Sequence, residues 1–135
     1  MAANTSPIFS LTPKHTWGTL TTGTNTYDGT SGTTLICTAG ADGAFVKEVH
    51  MASAGTNIAT VVRFFINNGG TTGTAANNSF IYQQSLHSTT ASATISTPGV
   101  IIPLNFVLPA TFRIYAVLAT TVAAGWQVTC ISGDY

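Results

Sequence analysis

Charged residues are scarce in this chain. Of its 135 residues four are basic and four are acidic, so charged residues make up 6% and the formal net charge is +0. An ordinary soluble domain carries about 25%. Four scattered basic residues cannot neutralise the phosphates of a nucleic acid or form a polybasic membrane anchor. We therefore expect neither a nucleic-acid nor a membrane partner.

The sequence also lacks long apolar runs and helical periodicity. No stretch approaches the roughly 20 apolar residues of a membrane span, and the first residues contain no basic region followed by an apolar one. We expect synthesis in a cytosol without an anchor. Disorder is not expected, because its signature is low hydrophobicity with high net charge, whereas 44% of this chain is hydrophobic.

Cysteine is rare as well. Cys37 and Cys130 are the two cysteines of the chain, and both lie in apolar, strand-like runs. Two cysteines without a secretory context do not form a disulfide framework. We expect both to be free and buried, in preference to a disulfide.

Threonine and serine supply most of the polarity, with 25 and 10 copies. Runs with a period of two, rich in β-branched residues and separated by Gly, Asn and Pro, cover nearly the whole chain, and this pattern is typical of β-strands. We predict an all-β protein, an antiparallel, jelly-roll-like β-sandwich of about eight strands. The predicted strands are residues 15–22, 33–38, 44–53, 58–67, 78–88, 101–108, 111–120 and 126–132.

Several short motifs predict turns. The Asp-Gly pairs at Asp42 and Asp28 are typical of hairpins, and the Asn-Asn-Gly-Gly run that starts at Asn67 predicts the opening of a polar loop that reaches about Asn77. Pro109 predicts a short connection between two apolar strands.

The first residues predict an extended N-terminal arm, residues 1–13, in front of a single β-sandwich domain, residues 14–135. Two prolines, at positions 7 and 13, flank the apolar residues Ile8, Phe9 and Leu11. A proline cannot donate a hydrogen bond to a central strand. We expect these three side chains to dock on another surface, where the arm would act as a clamp.

Two predicted strands are apolar on both faces. Arg63 and Phe65 lie on the second face of one strand, and Tyr115 and Val117 lie on the second face of the other. One explanation is that the arm covers this face, and the other, which we favour, is a subunit interface. The predicted interface residues are Arg63, Phe65, Arg113, Tyr115 and Val117.

The two arginines of this set interrupt apolar strands, where an unpaired guanidinium is costly to bury. Each has two interpretations of similar weight. The arginine either extends to the rim, or pairs with a carboxylate of Glu48 or of the terminal Asp134-Tyr135 segment across a sheet or subunit boundary.

Candidates for catalysis are few. His15, His50 and His87 stand alone in separate predicted strands, without a spacing typical of metal ligands. The chain has no nucleophile elbow, and its glycine-rich segment lacks the Lys of a phosphate-binding loop. We expect no enzyme activity, no catalytic or metal site and no cofactor.

Five segments carry a family resemblance. They are AGADG (39–43), GTNIATVVRFFINNG (55–69), IPLN (102–105), AAGWQV (123–128) and the ending GDY (133–135). The chain resembles small phage and prophage virion structural proteins of the capsid decoration, or cement, type, from about Pro7 to its end. It departs from their pattern at Thr111, where a glycine is expected after Leu108-Pro109-Ala110.

The resemblance implies a jelly-roll β-sandwich that is commonly a homotrimer, bound to the outer surface of an icosahedral capsid. The expected function is therefore to stabilise the phage head by binding across major capsid subunits, with the arm gripping either a neighbouring copy or the capsid. A trimeric tail or fibre component is the first alternative. The second is a carbohydrate-binding module that stacks sugars on Trp17, Trp126, Tyr82 or Tyr115.

Overall fold

The computed structural model describes residues 9–135, so Ile8 of the predicted arm lies outside the described residues. Eight strands and one short 3-10 helix form the fold. The strands are β1 (Thr12–Leu20), β2 (Thr34–Thr38), β3 (Ala44–Ser53), β4 (Thr60–Asn67), β5 (Asn78–Leu86), β6 (Val100–Leu108), β7 (Arg113–Leu118) and β8 (Trp126–Asp134), and the 3-10 helix is Ala75–Asn77. Within residues 9–135, no helix has the length and hydropathy needed to cross a membrane.

The strands form two four-stranded antiparallel sheets. One, which we call the β1 sheet, has the order β1-β8-β3-β6, and the other, the β2 sheet, has the order β2-β7-β4-β5. The chain crosses between sheets at every connection between the described strands except β4 to β5, which is the arrangement of a jelly roll. The predicted all-β, jelly-roll-like sandwich is therefore confirmed.

Alternating side chains fill the space between the sheets. In β8, Trp126, Val128 and Cys130 point inward and are at most 1% exposed, whereas Gln127 between them faces solvent. The period of two thus places one face of each strand in a shared core. Both cysteines are free and buried in that core, as expected.

The turn motifs had mixed outcomes. Gly43 turns with a φ of +92°, but the Asp42-Gly43 turn joins β2 to β3, which lie in different sheets, so the hairpin expected there was wrong. Asp28 lies in the long connection between β1 and β2, also between sheets. The hairpin loop is the one that starts after Asn67, whose side-chain oxygen accepts the backbone N–H of Gly69 at 2.8 Å.

β1 begins earlier than its predicted start at residue 15. Thr12 is paired with Asp134 and Pro13 with Gly133, and the backbone N–H of Leu11 donates to the Asp134 carbonyl at 2.8 Å. Because β1 is an edge strand, Pro13 is tolerated in it. The ordered sheet therefore includes two residues that were assigned to the arm.

Candidate interaction surface

The outer face of the β2 sheet is covered by the chain itself. Arg63, Phe65 and Val117 are 3%, 1% and 1% exposed, although they point away from the core between the sheets. The cover is the connection between β1 and β2, residues 21–33. The sequence analysis expected the arm or a second subunit to cover this apolar face, and it did not predict that this loop would do so.

Arg63 shows how the loop is held. Its guanidinium donates to the Thr26 carbonyl at 3.2 Å and to the Asn25 side-chain oxygen at 3.0 Å, and it lies 3.9 Å from the centroid of the Tyr27 ring. A backbone carbonyl, an amide oxygen and an aromatic face thus contact the buried cation, while its Nε has no hydrogen-bond partner among the described residues. Arg63 thus neither extends to a rim nor pairs with a carboxylate, so both interpretations were wrong for it.

Aromatic contacts complete the cover. The Tyr27 ring meets Phe80 edge-on at 5.6 Å, and Phe80 packs against Phe65 at the same centroid distance. The exposed apolar face on which the predicted interface rested is therefore absent at Phe65. Arg113 and Tyr115 of the predicted set lie on the same face and are half-buried.

The carboxylates proposed as partners of the arginines are engaged elsewhere. Asp134 pairs with Lys14 at 3.0 Å, and Glu48 lies 3.9 Å from Lys47 and 3.1 Å from His50. Among residues 9–135, no ion pair involves Arg113.

A large open surface lies instead on the outer face of the β1 sheet. Ladder pairing places Trp17, Thr129, His50 and Ile101 in one row across its four strands. Trp17 is 70% exposed and Ile101 is 61% exposed. An exposed indole at one end of the row and an exposed isoleucine at the other are unusual on a surface that contacts only water.

The same face continues in both directions. A second row contains Pro13, Gly133, Phe45 and Val107, of which Val107 is 57% exposed. Leu11, 80% exposed, precedes Pro13 by two residues and so continues the outward side of β1. The apolar end of the predicted arm is therefore continuous with this sheet face.

The charged groups on this face form one small cluster on β3. His50 Nε2 lies within hydrogen-bond distance of Glu48, and that contact, followed by the charge of Lys47, lowers the pKa of the Glu48 carboxyl. Positive and negative charge lie side by side in the cluster. The rest of the face is apolar or carries hydroxyl, amide and imidazole groups.

Two shallow grooves mark the face. One of about 380 Å³ is lined by His50, Ile101, Gln127 and Thr129 among others. Another of about 200 Å³ lies between Phe45 and Ile131, beside the incoming N-terminal segment. Both are open depressions that side chains of a partner protein could enter.

The two thiols lie near one another between the sheets. Cys37 Sγ is 3.6 Å from the Ser132 hydroxyl, and Cys130 is two residues before Ser132 on the same inward side of β8. The contact with Cys130 lowers the pKa of the Cys37 thiol, while the same contact and burial raise the pKa of Cys130. Only one of the pair can therefore ionise readily.

The three histidines are dispersed. His15 and His50 lie on the outer face of the β1 sheet, on strands separated by β8, and His87 follows β5 in the other sheet. Within the described part of the chain, no three His, Cys, Asp or Glu residues lie together in a way that could hold a metal ion.

Sequence reasoning missed the outer face of the β1 sheet for a simple reason. β1, β3 and β8 mix apolar and polar residues, which is the normal pattern of a strand with one solvated side. β6 contains a single polar residue, Asn105, and is apolar on both faces, but its pattern was not singled out. Trp17 and Ile101 lie on different strands, and only strand pairing places them on one face of the sheet. The sequence signal that could have indicated this surface is the presence of large apolar side chains, such as Trp17, at positions of a strand that alternate with the inward-facing ones.

Comparisons with known proteins found similarity at the level of structure. No family model and no curated protein matches the chain. The solved structure described as "Structure of infectious bursal disease virus Gx strain" is similar at a TM-score of 0.33 and 11% sequence identity. The match covers 98% of this chain and 35% of that one, so the chain spans about a third of the viral chain's length.

Proposed function

We propose that this protein is a virion structural protein, a decoration or cement protein that binds the outer surface of a bacteriophage head across neighbouring major capsid subunits. The observation that carries the proposal is the outer face of the β1 sheet, a broad, nearly uncharged surface with exposed apolar side chains. The proposal assigns no reaction and no cofactor to the chain.

The geometry favours a flat protein surface as the partner. Apolar side chains spread over two rows of a sheet do not enclose a small molecule, whereas small-molecule sites are concave. The jelly roll occurs in capsid proteins and in lectins. The family resemblance found in the sequence favours the capsid.

The expected energetics explain why such a protein would form an oligomer. Burial of Leu11, Trp17, Ile101 and Val107 contributes about 1.5–3 kcal/mol each. Association itself costs an estimated 4–15 kcal/mol, so one copy of the face binds weakly. A homotrimer, the state that the resemblance implies, attaches through three faces and gains avidity.

Heads of the phage that encodes the protein provide the test. Trp17→Asp and Ile101→Asp should each reduce binding of the purified protein to heads at least about tenfold, because a charge would be buried without a partner. Ile58→Asp, at an apolar position that is 58% exposed in the connection between β3 and β4, is the matched control. Equal binding by all three variants would contradict the proposal.

Fractionation of the particles tests the location. Stepwise denaturant treatment should release a decoration protein with the capsid, and release with the tail would favour the tail or fibre alternative. Because Trp17 is exposed, a glycan array on the wild type and on Trp17→Ala tests the carbohydrate alternative. Binding of a glycan that depends on Trp17 would favour a carbohydrate-binding module.

A further inference from the structure

The two lateral sides of the sandwich are closed differently. Where β1 and β2 meet, side chains of one edge strand satisfy the backbone of the other. Lys14 Nζ donates to the Thr38 carbonyl at 2.6 Å, and the Thr16 hydroxyl donates to the Ile36 carbonyl. This side of the molecule is therefore sealed within a single chain.

On the opposite side, where β5 and β6 are the edges, the core is less completely covered. The hydrophobic residues that pack against the core but stay only partly buried all come from β4, β5, β6 and the turn before β7. They are Ile66, Ile81, Val100, Leu104, Phe106 and Phe112. We call this region, together with the β5 and β6 edges, the open side.

β5 is the most exposed part of the open side. It pairs with β4 alone, and its adjacent residues Ser79 and Phe80, like Tyr82 and Gln83, are exposed, so both of its faces as well as its edge meet solvent. Phe80 is 39% and Tyr82 is 41% exposed. A strand of nine residues in this situation offers unpaired backbone groups and aromatic side chains together.

Edge strands are normally protected by charges, prolines or bulges. β5 contains neither a proline nor a charged residue, and its one protective feature is the bulge at Ile81, between Phe80 and Tyr82, whereas β1 has Pro13 and Lys14 and β6 has Pro103 and a bulge of its own. It is thus the least protected long edge among the described strands.

We propose that the open side is a self-association surface, with β5 at its centre and a second copy of this chain as its occupant. Neither β5 nor β6 carries a charged residue, so two copies meet there without the repulsion that like charges impose on a self-complementary contact. Its exposed aromatics are the residue types that anchor interfaces. The proposal goes beyond attachment to a phage head and is tested without one.

A lysine in β5 is the first test. Sedimentation in the micromolar range should give the wild type a multiple of the 13.9 kDa chain mass. Tyr82→Lys should weaken self-association at least about tenfold, because the ammonium would lose water without gaining a partner. Thr19→Lys, an exposed position on the β1 edge, should behave as the wild type, and circular dichroism checks that both variants fold.

Hydrogen exchange of the wild type is the second test and needs no substitution. Raising the protein concentration should slow exchange of amides in β5 and leave those of β1 unchanged. A wild type that stays monomeric, or variants Tyr82→Lys and Thr19→Lys that associate equally, would overturn the proposal. Protection of β5 that arises only on addition of phage heads would do the same, since the occupant would then be the capsid.

Discussion

Thr111 has a φ of +67° in the turn between β6 and β7, a backbone region that a β-branched residue rarely adopts. The turn is held by a hydrogen bond from the Phe112 N–H to the Pro109 carbonyl at 3.2 Å. The resemblance described in the sequence analysis implies a glycine at this position. The structure supplies the reason, which is that glycine adopts positive φ without steric cost.

Replacement of Thr111 by glycine should therefore stabilise the protein. Strain at a non-glycine residue with positive φ destabilises the folded state by about 1–3 kcal/mol. Removal of this strain is partly offset, because glycine increases the entropy of the unfolded chain and so lowers the free energy of unfolding by about 0.4–1 kcal/mol. We expect Thr111→Gly to raise the free energy of unfolding by about 1 kcal/mol, measured by urea denaturation. Asn105→Gly, at the other positive φ of +51°, should gain less because asparagine tolerates this region.

The Glu48 carboxyl gives a second prediction for single residues. Its pKa lies below the ordinary value of 4.5, chiefly because of the contact with His50. Since the folded pKa is depressed, the stability that Glu48 contributes is present above the unfolded pKa and is lost as the pH falls through the folded pKa. His50→Ala should raise the pKa of Glu48 in an NMR titration, and Lys47→Ala should raise it less. An unchanged Glu48 titration in His50→Ala would contradict the assignment.

At the scale of elements, the sequence predicted all eight strands, with β3 at the observed bounds and the others displaced by a few residues. It did not predict which sheet each strand joins, because periodicity describes the faces of one strand and not its neighbours. The same limit affected the interface. The pattern around Arg63 and Phe65 shows that a second face is buried, but only the folded connection of residues 21–33 shows what buries it.

The cover formed by this connection is testable through Tyr27. Tyr27→Ala removes the ring that faces Arg63 and Phe80, and we expect a loss of about 1–2 kcal/mol in the free energy of unfolding, from one cation–π contact and one aromatic pair. The loss should not depend on protein concentration. If Tyr27→Ala instead changed only the oligomer mass, a second subunit would be the cover. Leu35→Ala, exposed on the same sheet, serves as the control.

At the scale of the whole molecule, the apolar face of the β1 sheet and the open side meet along β6. Under the two proposals, one surface would bind a partner while the other contacts a second copy of the chain. Because both surfaces are nearly free of charge, salt should affect neither contact strongly. The sequence could indicate an association-prone surface from composition, but not its division into two regions, since that depends on which strands become edges.

The N-terminal segment belongs to this scale as well. Phe9 is 72% exposed and Leu11 is 80% exposed in the single chain. Deletion of residues 1–10 leaves the hydrogen bond of Leu11 to Asp134 in place, so the fold should be retained with little change in the urea midpoint. We expect the deletion to weaken either binding to phage heads or self-association. The measurement that changes shows whether the arm contacts the capsid or a second copy of the chain. Unchanged affinity in both measurements would make the arm a passive tail.

The pairing of β1 with β8 also determines when the protein can fold during its synthesis. Thr12 lies opposite Asp134, so the first strand waits for almost the entire chain before it finds its neighbour. The β1 sheet cannot close on a growing chain, and contacts between such distant residues make folding slow relative to helical proteins. The β4–β5 hairpin can form earlier, but β1 has no neighbour in its sheet until β8 has been synthesised, and an unpaired apolar strand is prone to aggregation. The complete outer face of the β1 sheet is consequently one of the last surfaces of the molecule to form.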